Sequence, residues 1–408
     1  MSLLKGGRLE NRTGQFDLII KNGVITDMSE AGSAPASLDC SGSLIVPAFV
    51  DMHTHLDKGH IWPRTPNPDG QFMSALNNVA IDRERSWSAG DVKARADFSI
   101  RCAYHHGTRA IRTHLDSIPP QDAISWQVFA ELRDAWRGRV DLQMVSLAMV
   151  EDYRGAAGTQ LAQRVADHDG VLGLVPLMAP GLGDDLRRFF ELAGHHSLDV
   201  DMHIDETLDP ASRTLEALAD AVVETGYAGQ VVAGHCCSLA SQSAGDLARI
   251  LDRVAEAKIA IVSLPMCNMY LQDRHAGHTP KRRGVTVVHE LVTRGIEVAF
   301  ASDNTRDPFY AYGDLDMHEV AREAVRIGHL DHSDAAWFNA FNTVPAQIMG
   351  IDAPGIAIGA PADFVIFEGR SPSEVLSRPE TNRIVVRAGQ AVDEPLPDYR
   401  ELDHLFAG

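Results

Sequence analysis

The 408-residue chain carries 56 acidic against 37 basic residues, a formal charge of −19, and 45% of it is hydrophobic. That acidity excludes phosphate-backbone binding as a main task, so no nucleic-acid polymer is expected as partner, and the apolar content is that of a globular chain with a sizeable core. Cys40, Cys102, Cys236, Cys237 and Cys267 are odd in number and lack Cys-x-x-Cys spacing, which excludes a disulfide framework or zinc ribbon and fits a cytoplasmic location; no stretch has the ~18 apolar residues of a membrane span.

In chain order, the first dozen residues lack a signal peptide's apolar core and are expected to form a flexible tail. Asp17 to Asp27 reads as two short strands joined at Asn22-Gly23, a strong hairpin signal. The segments Ala362–Phe367 and Arg383–Gly389 are again strand-like. Neither end buries an apolar face alone, so residues 1–48 and 355–408 are expected to pair into one small β-sandwich domain.

Residues 49–354 alternate strand and helix patterns, with strands expected to end at His53, His114, Met149, Pro176, His203, His235, Leu264 and Ser302. Eight such repeats with right-handed crossovers close into a (β/α)₈ TIM barrel, an α/β fold whose chemistry sits at the C-terminal ends of its strands. An open doubly wound sheet is the alternative, but no Gly-x-Gly-x-x-Gly follows any strand. The stretch Gly59 to Ser86, with three prolines, is expected to be a long loop over the barrel mouth. A last helical pattern runs over His332 to Phe341.

The chemistry concentrates at strand ends. The apolar run Leu44 to Val50 leads into His53 and His55, and side chains two apart on a strand share a face. His203 with Glu206, then His235, then Asp303 close other apolar runs. Imidazoles and a carboxylate together suit one divalent metal ion, Zn or Fe, with a position left open for water.

The order His53-x-His55, His203-x-x-Glu206, His235, Asp303 resembles the amidohydrolase superfamily, and within it the bacterial cytosine deaminases. Further matching stretches are Arg112-Thr113-His114-Leu115-Asp116, Asn268 with Leu271-Gln272, Pro280-Lys281-Arg282-Arg283-Gly284 and Asp307-Pro308. The resemblance implies His53, His55, His203 and Asp303 as metal ligands, with metal-bound hydroxide as nucleophile. It implies Glu206 as the proton shuttle and His235 as a hydrogen-bonding partner of the hydroxide or a weak ligand. Asp303 is expected to act as a general base besides, since the hydroxide must lie between the metal and the substrate. His114 is expected to orient a ligand, and Lys281-Arg282-Arg283 to be a structural salt-bridge site.

The chain departs from the cytosine deaminases where they read the ring. Met149 stands in place of a Gln at the third strand, Asn304 in place of a second Asp, and Phe309 in place of a Trp. A thioether cannot donate and accept as an amide does. These three residues and Phe72 of the mouth loop are the expected substrate contacts. The expected function is deamination of a nitrogen heterocycle: cytosine, a substituted cytosine, or a related pyrimidine or triazine. Hydrolytic opening of a cyclic amide and a non-catalytic binding protein are the alternatives, and self-association into a homo-oligomer is left open.

Overall fold

The computed structural model describes residues 2–10, 12–32, 36–333, 336–352 and 355–406. Five strands come first: β1 (Ser2–Leu9), β2 (Phe16–Lys21), β3 (Val24–Glu30), β4 (Leu38–Asp39) and β5 (Leu44–Pro47). Then follow β6 (Phe49–Thr54), β7 (Thr108–Asp116), β8 (Asp141–Leu147), β9 (Leu172–Leu174), β10 (Val200–Ile204), β11 (Val231–His235), β12 (Ala260–Ser263) and β13 (Val298–Phe300). The last three are β14 (Phe364–Phe367), β15 (Arg383–Arg387) and β16 (Gln390–Ala391).

β6 to β8 pair in parallel, as do β9 to β13. Parallel bridges Val145↔Val171 and Met149↔Val175 join β8 to β9, and Thr54↔Asp303 joins β6 to the end of β13. The eight strands therefore close into a ring, the (β/α)₈ barrel. β6 and β12 are buried along their whole length, as both-face coverage by helices requires. Among the described residues no helix is long and apolar enough to cross a membrane.

Both chain ends supply the other sheet, in the order β16-β15-β14-β5-β1-β2-β3, with β4 beside β1. The Asn22-Gly23 turn forms as expected, with φ of 51° and 78°, the two positive values that a tight hairpin needs. The sheet curls back on itself: Ile25 N donates to Ala360 O, and Leu18 and Ile25 share one core with Ile45, Phe364 and Val386.

Four expectations change. The first residues are not a tail but β1, held by β2, β4 and β5, because Leu4 and Leu9 bury in that core. The run Leu44 to Val50 is not one strand; it splits at Ala48, with β5 in the terminal sheet and β6 in the barrel. The mouth loop condenses into a helix over Phe72–Ser86, packed through Ala75 and Val79. The helix expected over 332–341 is two 3₁₀ turns, Leu330–His332 and Trp337–Phe341, and residues 334–335 lie outside the described residues. At the chain's end, the 3₁₀ turn Tyr399–Leu405 packs Leu402 on Phe98 and Cys102 of the barrel helix Ala89–His106, so this part of 355–408 touches the barrel.

Candidate active site

β6 places His53 inside the barrel, and His55 follows at its exit. His203 arrives on β10. Asp303 follows β13, where its N–H donates to His53 O. Alternation carries Asp303 to the same face as Ala299 and Ala301, which pack inside the barrel with Ala110 and Val232, while Ser302 turns the other way to donate to Asp51. His235 departs from alternation: Val231 and Ala233 pack on the outer face, and a φ of +68° turns the His235 ring back to the axis; Asp303 has a φ of +66°.

Nε2 of His203 lies 3.2 Å from His53 Nε2 and 3.1 Å from His55 Nε2. Asp303 Oδ1 lies 3.3 Å from His55 Nε2 and 3.7 Å from His53 Nε2. Ligand atoms on a tetrahedral ion with bonds of about 2.0–2.2 Å stand about 3.3–3.6 Å apart. These donors fit such an ion. Burial, reinforced by the neighbouring cationic groups, pushes all three histidines well below their ordinary pKa, so each presents the neutral imidazole that metal ligation needs. Both oxygens of Asp303 are buried without a hydrogen-bond partner among the described residues, and burial raises its pKa to about 7. An unpaired buried carboxylate is costly, and a cation among these donors would supply its partner.

Around the donors, the His114 ring packs 4.1 Å from that of His53, with its Nε2 3.8 Å from Asp201. Arg112 holds Asp201 at 2.8 Å beneath it. Gly234 is required on the other strand, since a Cβ there would sit 2.9 Å from His53 Cε1. Lys58, behind His55, donates to Asp116 at 2.7 Å; burial pulls its pKa down, but Asp116 and Asp57 outweigh that and raise it.

Glu206 stands at the edge of the donor set, and burial together with the Asp303 charge pushes its pKa well above the usual carboxylate range. Its neighbour Asp205 is spent on structure, accepting from Thr214 N and Leu215 N at the start of the following helix. His235 adds a ring nitrogen within 4.8 Å of ligand atoms of His53 and His203. Asn268 donates to both His235 Nδ1 and Glu206 Oε1. Sequence reasoning noted Asn268 as a matching residue but found no task for it; its place one helical turn before Gln272 was the available signal.

Of the expected substrate contacts, Phe72 and Phe309 meet edge to face at 5.5 Å. Met149 lies just beyond β8, half-buried. Gln143 on β8 points inward to Arg112, so by alternation Leu147 and Met149 face the same way at the top of the barrel. Asn304 commits its amide to the protein: Nδ2 donates to Asp307 at 2.7 Å, and Cys267 Sγ faces its Oδ1. Lys281 N and Arg282 N both donate to Asp273, which fits the structural role expected of that motif. The cysteines are all buried and unpaired by disulfides.

The Amidohydrolase family matches residues 71–393, a span that begins after His53 and His55. The chain is 52% identical over 398 residues to a pterin deaminase of Rhizobium rhizogenes, covering 96% of this chain and 90% of that protein. It is 23% identical to an N-isopropylammelide isopropyl amidohydrolase of a Pseudomonas species, across 92% of this chain and 97% of the relative. Among solved structures it is similar to 5-methylcytosine deaminase from Klebsiella pneumoniae liganded with phosphonocytosine, with a TM-score of 0.88, 26% identity, and coverage of 96% and 98% of the two chains.

Proposed function

The chain belongs to the amidohydrolase family, and from that premise we propose that it is a metal-dependent deaminase whose substrate is a pterin. The observation that carries the reading is the complete donor set with Glu206 beside it, in a chain 52% identical to a pterin deaminase over nearly its whole length. In the reaction, water oxygen bonds to the amine-bearing ring carbon and the carbon–amine bond breaks. One water proton ends on the ring nitrogen and the other on the departing amine, leaving a ring carbonyl and ammonia.

His53, His55, His203 and Asp303 would hold the ion. When bound, such an ion polarises its ligands and lowers the pKa of water at an open position to about 7. Glu206, kept protonated by burial, can deliver a proton to the ring nitrogen and pass a second to the amine, the work of one carboxyl placed beside both atoms. Met149 offers no amide edge, which suits a ring whose second half is aromatic rather than a bare pyrimidine, and the Phe72–Phe309 pair supplies an apolar wall at the mouth. The test is ammonia release from a panel of pterins, pyrimidines and triazines with zinc- or iron-loaded protein. Pterin should be converted to the corresponding dione with the ring intact. Ring-opened product would identify a cyclic-amide hydrolase instead, and no turnover of any pterin would reject the reading.

A further inference from the structure

Asn268 lies on the short helix Pro265–Leu271 and is 1% exposed. Its Nδ2 stands 3.0 Å from His235 Nδ1 and 3.3 Å from Glu206 Oε1, so the two hydrogens of one NH₂ group serve two different side chains. Nδ2, not Oδ1, faces both side chains. Glu206 Oε1, 3.6 Å from the same imidazole nitrogen, therefore accepts, whether the carboxyl is ionised or carries its proton on Oε2. His235 Nδ1 also accepts, which leaves the ring's hydrogen on Nε2. Nε2 is buried and has no partner among the described residues, beside the candidate metal donor set.

We propose that Asn268 is a positioning residue that fixes where both reacting side chains carry their protons: it holds His235 as the Nε2–H tautomer, a hydrogen-bond donor into the site rather than a metal ligand, and keeps the mobile proton of Glu206 on Oε2. The inference rests on the deaminase reading for its catalytic consequence but not for its structural content. A nitrogen that keeps its hydrogen cannot offer a lone pair to a cation, which separates His235 from His53, His55 and His203. A proton confined to Oε2 is a proton aimed in one direction. Comparable control of a catalytic imidazole's tautomer in serine proteases is worth roughly 10⁴ in turnover.

The test measures the tautomer directly. Zinc-loaded protein labelled with ¹⁵N-histidine is examined by long-range ¹H–¹⁵N correlation, and the His235 signals are assigned by their loss in His235→Gln. The expected result is a neutral ring with hydrogen on Nε2 and no shift of Nε2 when zinc is removed. Asn268→Asp, whose carboxylate demands a donor, should move that hydrogen to Nδ1 and lower kcat by about 10²–10⁴ while KM changes less than about threefold and bound zinc is unchanged. Asn268→Ala, smaller and without preference, should show a mixture of tautomers. A wild-type ring protonated on Nδ1, or an Nε2 that responds to zinc as a ligand would, overturns the proposal whatever the substrate proves to be. So does an Asn268→Asp protein that retains both the Nε2–H tautomer and its kcat. Failure of pterin turnover in the wild type would instead count against the deaminase reading and leave the spectra to decide this one.

Discussion

Gly234→Ala adds one methyl group, and the structure says what it meets. A Cβ at this position falls 2.9 Å from His53 Cε1 and 3.1 Å from His53 Nδ1. Carbon–carbon contacts become favourable near 3.5 Å, so the ring must yield by about 0.5 Å. It has little freedom to do so, because His114 packs 4.1 Å away and β11 is tied in register to β10 and β12. The backbone itself accepts alanine, since Gly234 is not among the positive-φ glycines, so the effect is steric alone. Metal–ligand distances tolerate about 0.2 Å, and disturbing the groups that orient a ligand costs about 10–100-fold in affinity. Overpacking adds about 1–3 kcal/mol of destabilisation. Competition against a chelator should thus give a zinc affinity lower by one to two orders of magnitude, with cooperative unfolding retained. A variant that holds zinc within about threefold of wild type would refute the claim that Gly234 positions His53.

His203→Ala should lose most bound metal, whereas Glu206→Gln should keep it and lose turnover; metal analysis beside an ammonia assay separates the two, and full activity in either variant would sink the assignment. Met149→Gln should raise kcat/KM for cytosine relative to pterin, read as a ratio so that a less stable variant does not mislead; an unchanged ratio would mean that Met149 does not face the ring. His60 is buried with neither ring nitrogen bonded among the described residues, and burial lowers its pKa to about 3. The unfolded chain binds a proton there below about pH 6.5 and the folded chain does not, so stability falls as the pH drops from 7 to 5, by about 2 kcal/mol for this group. His60→Phe, which can pack on Phe98, should flatten that part of the acid dependence in urea titrations; an unchanged slope would contradict it.

The barrel was legible because its strands are near-continuous apolar runs ended by polar residues, a pattern that needs no tertiary knowledge. His53 and His55 were legible for the same reason, two apart on one strand. Asp303 was legible by resemblance and by alternation with Ala299 and Ala301, whereas His235 was legible by resemblance alone, since its positive φ overrides the period of two. Gly234 and Asn268 were opaque in their roles, because each acts on a side chain that the fold delivers from elsewhere: Gly234 on His53 from β6, Asn268 on His235 and Glu206 from two other strand ends. The helix over Phe72–Ser86 was missed because the prolines before it, at 63, 66 and 68, dominate the local pattern while the helix is set by packing through Ala75 and Val79.

The split at Ala48 bears on how this chain is made. One residue separates β5 from β6, and β5 finds its antiparallel neighbour only in β14, more than three hundred positions later. While the protein emerges from the ribosome, the strand that will present His53 hangs from a half-built sheet whose edge, Leu44 to Pro47, has no cover. Such an edge is a template for wrong pairing until the last strands are synthesised. A nascent chain halted before residue 364 should therefore be far more prone to aggregate than one released after residue 391, even though the whole barrel is present in both.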